Sequence, residues 1–263
     1  MIELAGGELL TERKGSVHWI IFNRPQARNA LTWGMYDALI KECERVNEDD
    51  SIRVVVITGN GGAFAAGTDI SQFRAFKTAQ DALDYEEQGN HMAETVESVR
   101  VPVIAAISGA CTGGGASIAT CSDIRIASPS AKFGIPIART LGNCLSQRNY
   151  ARVVSAFGVP RAKELLMTAR LMEAQELKAA GYVVEVVASE GHLVPRAQEL
   201  AEQIATFAPL TLQVTKKAIN RVRDQLFPIE DDKDFIETCY LSEDFHEGIE
   251  AFLNKRKPVW RGR

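Results

Sequence analysis

The chain has 263 residues, with 30 Lys+Arg against 34 Asp+Glu for a net charge of −4, and 46% hydrophobic residues. That balance is typical of a folded globular protein and excludes a disordered or collagen-like chain. It also argues against nucleic-acid and membrane-surface partners, because phosphate groups reward an excess of Lys and Arg.

In chain order, residues 17–23 and 54–58 read as short β-branched strands. Between them, residues 32–47 predict an amphipathic helix, with Thr32 placed to cap it and Leu39, Ile40, Cys43 and Val46 on one face. Further strands are expected at 103–107, 124–127 and 183–187. After Val187 only helical patterns follow, at 194–207, 211–225 and 231–255. Apolar strands alternating with helices predict an α/β fold with a mostly parallel, helix-covered sheet. The division expected is a core of repeated βα units over residues 1–190 and a helical region over 191–263.

Cys43, Cys111, Cys121, Cys144 and Cys239 are odd in number and include no CxxC pair, so no disulfide framework or zinc ribbon is expected. The four His are scattered, and no metal site is expected. Residues 101–122 carry no charge but are too rich in Gly, Ser and Thr for a membrane-spanning helix. Residues 1–8 are acidic where a targeting peptide needs basic groups, so the expected location is the cytoplasm.

Two glycine-rich turns follow strands. The first, residues 58–69, holds Gly59, Gly61, Gly62 and Gly67; the second, residues 108–117, holds Gly109, Gly113, Gly114 and Gly115 and leads into a helical run. Such turns allow close backbone approach and leave N–H groups free near a helix N-terminus, where they can serve an anion or a developing oxyanion. They can equally be tight connections and nothing more. Gly62 and Gly67 have P-loop spacing, but no Lys follows, and no GxGxxG occurs, which disfavours nucleotide binding.

These turns carry a resemblance. Residues 23–31 (NRPQARNAL), 63–70 (AFAAGTDI), 106–127 with the Gly113-Gly114-Gly115 run, 161–170 and 247–258 resemble the ordered motifs of the enoyl-CoA hydratase/isomerase (crotonase) superfamily. The resemblance covers nearly the whole chain. It implies a crotonase-like α/β fold of ββα/βα units with a helical C-terminal trimerisation region, and a homotrimer or dimer of trimers. It implies an acyl-CoA substrate, with coenzyme A part of that substrate and no separate cofactor. The backbone N–H groups of Thr68 and Gly114 match the oxyanion-hole positions, where a thioester enolate is stabilised. Arg28, Asn29 and Ala30, with Thr68, Asp69, Ile70 and Ser71, match positions along the CoA path, and Lys255 or Lys257 would suit the ribose phosphate.

The sequence departs from the hydratase pattern where acid–base chemistry is done. The positions of the family's two Glu hold Ser117 and Ile137, neither of which exchanges a proton at neutral pH. Candidates to stand in are Asp69, His91 (near where the chlorobenzoyl-CoA dehalogenase branch keeps a His) and Arg139 as a carboxylate holder. Cys144 as nucleophile and Asn143 as hydrogen-bond donor are weaker. The nominal activity is therefore that of an enoyl-CoA hydratase or isomerase with unusual acid–base groups. Alternatives are a decarboxylase of a malonyl-CoA-like thioester, which needs no strong base, and a non-catalytic acyl-CoA-binding relative. RNA binding ranks last, because Lys216-Lys217 and residues 255–257 are short basic runs.

Overall fold

A computed structural model describes all 263 residues. Strands β1 (Ile2–Leu4), β2 (Leu9–Lys14) and β3 (Val17–Phe22) lead to α1 (Trp33–Glu48), β4 (Val54–Gly59) and α2 (Ala79–Ser98). Next come β5 (Val103–Ile107), β6 (Ala110–Thr112), α3 (Gly114–Cys121), β7 (Ile124–Ala127), β8 (Lys132–Gly134), α4 (Ile137–Thr140) and α5 (Gln147–Thr168). β9 (Met172–Glu173), α6 (Ala174–Ala179) and β10 (Glu185–Val186) precede four helices: α7 (Leu193–Ala205), α8 (Pro209–Leu226), α9 (Lys233–Tyr240) and α10 (Glu243–Leu253).

Seven strands form the main sheet in the order β1-β2-β3-β4-β5-β7-β10. β1, β2 and β3 pair antiparallel, and from β3 onward every pairing is parallel. All residues of β3 and β5 are buried, which is why these strands, His18 apart, read as apolar runs rather than as alternations. On one face Ile20, Phe22, Val55, Ile57 and Ala105 pack with Met35 and Leu39 of α1 and Val96 of α2. On the other, Trp19, Val54, Val56 and Ile104 meet Leu193, Ala197, Ala201 and Ile204 of α7. The spacing of those four residues is the stripe of an amphipathic helix, and through it α7 becomes the sheet's second layer.

The Thr32 cap forms, its side chain accepting from Met35 N–H. Two expectations change. Residues 231–255 are not one helix: the chain breaks at Leu241, and Ser242 caps α10 by accepting from Phe245 N–H. Of residues 183–187, only Glu185 and Val186 form a strand, at the sheet edge. A second sheet, β6-β8-β9, was not legible, because strands of two or three residues carry no measurable period.

The last helices differ in how they are held. α9 and α10 bury Ile236, Tyr240, Phe245 and Ile249 against Phe73, Ala82 and Leu141. α8 has no buried residue and is tied down by charge: Lys216 Nζ lies 2.8 Å from Asp123 Oδ2, and Arg223 pairs with Glu97. No helix is long and apolar enough to cross a membrane.

Candidate functional site

The two glycine turns leave β4 and β5, which are adjacent and parallel, so both emerge at the same edge of the sheet. There they zip together. Phe64 N–H donates to Ser108 O at 2.7 Å, Ala65 N–H to Ala110 O at 3.0 Å, and Thr112 N–H to Ala65 O at 2.9 Å. The closeness explains the glycines: a Cβ on Gly115 would overlap the Ala65 backbone, and one on Gly114 would overlap Tyr36 Oη. Within this zipper the N–H groups of Thr68 and Gly114 donate to no group of the chain. Both residues line a cavity of about 480 Å³ enclosed by the turns, α2, the 135–145 stretch and Phe252.

Beside those amides lies a cluster of hydroxyls. Tyr36 Oη is 2.9 Å from Thr68 Oγ1, which is 3.0 Å from Tyr85 Oη. Burial pushes Tyr36 up to about 12 and Tyr85 well above its ordinary value, so both stay neutral donors. Three hydroxyl hydrogens serve two hydrogen bonds, which leaves one free to donate to a bound molecule.

Two carboxylates line the cavity, Asp69 and Glu86. Arg24 Nη1 lies 2.9 Å from Asp69 Oδ2, while Ser71 N–H and Oγ–H donate to Asp69 Oδ1 at 3.1 and 2.7 Å. Burial favours its neutral form, but the hydrogen bonds from Ser71 and Arg24 prevail and hold the carboxyl below its usual range. Glu86 is the opposite case. It is buried on α2, has no cationic partner, and accepts from Tyr240 Oη–H at 2.5 Å and from Ser146 N–H at 3.1 Å. Burial, aided by the charge of Asp232, outweighs those two bonds and raises its carboxyl to about 7.

The residues expected from the sequence separate into two groups. Arg28, Ala30, Thr68, Asp69, Ile70, Gly114, Ser117, Ile137 and Asn143 all line the cavity. Asn29 and Ser71 act as struts: Asn29 is fully buried and its amide donates to Asn60 O and Ala63 O, while Ser71 holds Asp69. His91 does not line the cavity, because Tyr85, Glu86, Gly89 and Met92 form the inward face of α2 and His91 stands exposed on another. Arg139 and Lys255 are likewise exposed and outside the lining. Cys144 is turned toward α9, its thiol donating to Phe235 O at 3.4 Å, and the adjacent Cys239 thiol together with burial keeps it protonated. Tyr36, Tyr85 and Glu86 are among the cavity residues that sequence reading passed over. A larger hollow of about 670 Å³ between α2, α5 and α8 is lined mostly by charged side chains and is reached by neither glycine turn.

Known proteins similar to this chain in sequence and in shape point to one family. Residues 12–263 match the family described as enoyl-CoA hydratase/isomerase. The chain is 33% identical to the 2,3-dehydroadipyl-CoA hydratase of Escherichia coli over 97% of its own length and 99% of the relative's. It is also 33% identical to the crotonyl-CoA hydratase of Syntrophomonas wolfei, covering 97% of this chain and 98% of that one. Among solved structures, a methylmalonyl-CoA decarboxylase in complex with 2-nitronate-propionyl-CoA superposes with a TM-score of 0.88 at 26% identity, covering 97% and 99% of the two chains. An enoyl-CoA hydratase/carnithine racemase from Magnetospirillum magneticum gives 0.79 at 34% identity, covering 97% and 96%. With the crotonase fold and a match from residue 12 to the C-terminus, this chain is an enzyme of the enoyl-CoA hydratase/isomerase family.

Proposed function

We propose that the cavity binds an acyl-CoA thioester and stabilises its enolate, the N–H groups of Thr68 and Gly114 receiving the thioester oxygen. The observation that carries this reading is the pair of unpaired amides held side by side by the zipped turns. Donors fixed in advance cost no reorganisation as charge develops, and one such donor contributes roughly 3–4 kcal/mol. The spare hydroxyl of the Tyr36–Thr68–Tyr85 cluster is available as a further donor. Arg28, Ala30, Asp69 and Ile70 would line the CoA path, with Asn29 and Ser71 supporting it and Lys255 free to meet a phosphate. Coenzyme A enters as part of the substrate; the reading invokes no metal and no redox cofactor.

Hydration of an enoyl-CoA, the activity in the two relatives' names, or double-bond isomerisation, in the family's description, is the leading reaction. Decarboxylation of a malonyl-type thioester is a second reading, favoured by Ser117 and Ile137 at the family's Glu positions and by the likeness to the decarboxylase. When CO₂ leaves, the C–C electron pair passes into the thioester carbonyl, so an oxyanion hole is required and a base is not. The test is a mass-spectrometric turnover screen offering 2-enoyl-, 3-enoyl- and malonyl-type CoA thioesters. Gain of one water supports hydration, and loss of CO₂ supports decarboxylation. CoA binding with no product from any thioester would overturn the catalytic reading and leave an acyl-CoA-binding protein. We also propose a homo-oligomer, trimer or dimer of trimers, in which the exposed Leu210, Val214, Ile219 and Val222 of α8 are covered. Light scattering on the purified chain tests it, a monomer being the contrary result.

A further inference from the structure

We infer that Glu86 is the acid–base group of this site, exchanging a proton with the acyl chain of the bound thioester from the α2 wall of the cavity. The inference rests on the enolate reading above.

The geometry is that of a carboxylate held for one task. Tyr240 Oη–H donates to Glu86 Oε1 and Ser146 N–H to Oε2, which fixes the plane of the carboxyl group and leaves each oxygen a further lone pair. The Tyr240 hydroxyl, its proton directed at Glu86, can only accept from Asn143, whose Nδ2 lies 3.0 Å away. This orients the Asn143 amide and leaves Asn143 Oδ1 as the one buried side-chain polar atom without a partner, on a residue that lines the same cavity. An orphaned acceptor next to a held carboxylate is a place for a polar group or water of the reaction, since buried polar atoms are otherwise satisfied.

Elimination leads to the same residue. Asp69, the other carboxylate of the cavity, is held as an anion by Arg24 and Ser71. Glu86 faces Tyr36 from α1, Tyr85 on its own helix, Cys144 and Tyr150 from the 144–150 stretch, and Tyr240 and Asp232 from the α9 side. None of these is a cation, and burial lifts its carboxyl to about 7, where both protonation states are accessible at neutral pH. In the step itself, ionised Glu86 takes a proton from the carbon next to the thioester carbonyl. The C–H electron pair passes into the carbonyl and forms the enolate, and neutral Glu86 returns the proton to carbon. In a decarboxylation the same neutral acid protonates the enolate that CO₂ leaves behind.

The experiment follows deuterium uptake from D₂O into butyryl-CoA, 3-hexenoyl-CoA and methylmalonyl-CoA by mass spectrometry, for wild type, Glu86→Gln and Glu86→Asp, with CoA affinity measured in parallel. Uptake by wild type is expected to rise with pH through a midpoint near 7 for the two substrates that must lose a proton. Glu86→Gln should lower it on the order of 10²–10⁴-fold with CoA affinity nearly unchanged, and Glu86→Asp should restore part of it. Wild-type uptake matched by Glu86→Gln, or an unaltered pH profile in that variant, would overturn the role of Glu86 and leave the enolate reading intact. Loss of CoA affinity in step with activity would assign Glu86 to structure instead. No uptake or turnover by wild type on any of the three thioesters would overturn the enolate reading and this inference together.

Discussion

Where the first glycine turn meets the cavity, Asp69 sits against Arg24 and two Ser71 donors, and its carboxyl is held below the ordinary range. On α2, Glu86 sits among tyrosines with no cation, and its carboxyl rises to about 7. Two groups of the same chemistry are thereby given different uses by their surroundings. The ion-paired carboxylate supports the turn, while the unpaired, desolvated one is free to exchange a proton. The two unpaired amides depend on neither carboxylate for their position but on the zipped glycine turns.

The strongest way to break this arrangement is at the amides. Gly114→Ala keeps the N–H but displaces Tyr36 Oη, whereas Gly114→Pro displaces it and removes the N–H as well. Steady-state kinetics should give a kcat for the Pro variant on the order of 10²–10³-fold below that of the Ala variant. Equal rates would remove Gly114 N–H from the chemistry.

The contrast between the carboxylates is sharpened by pH. In the folded chain Glu86 holds its proton up to about 7 against an ordinary 4.5, so the folded state binds more protons than the unfolded one across that window. Stability from this group is intact below about 4.5 and is lost as pH climbs toward 7, by up to about 3 kcal/mol at 1.4 per unit. Glu86→Gln has no such titration, so its Tm relative to wild type should improve from about pH 5 to 7 and then level off. A constant difference would place Glu86 in ordinary ionic surroundings. Tyr240→Phe removes a donor to the ionised carboxylate and should move the midpoint of the rate profile upward by about one unit.

At the other carboxylate, Arg24→Met should leave kcat within about threefold while lowering stability by about 1 kcal/mol, because Arg24 also pairs with Glu8 and both pairs are part-exposed. A large fall in kcat would make Asp69, not Glu86, the working carboxylate. The smallest effect is expected at His91→Ala, within about 0.5 kcal/mol in stability and with unchanged kcat, because that side chain points away from the cavity.

The two turns were legible because each depends on local sequence: a strand, a glycine where the backbone must come close, a helix start. The resemblance then singled out Thr68, Gly114, Arg28, Ala30, Asp69 and Ile70, and these residues line the cavity. Glu86 was passed over although a signal was present. It falls four residues after Ala82 and six before Met92, within the inward face of α2, where a charged side chain needs an explanation. Tyr36 was read only as part of an amphipathic helix, since nothing near it in sequence tells where its hydroxyl ends.

Periodicity and glycine placement in the sequence were sufficient for the parallel strands, the capped helix α1 and the two converging turns. They act over a few residues, and short-range sterics and hydrogen bonding suffice to set them. Which carboxylate is ionised was decided by tertiary structure alone. Glu86 takes its donors from Ser146 and Tyr240, 60 and 154 residues away, and Asp69 its cation from Arg24, 45 residues away. Proton affinity follows the dielectric and the partners around a group, and those are assembled only when α2, α5 and α9 close on the sheet.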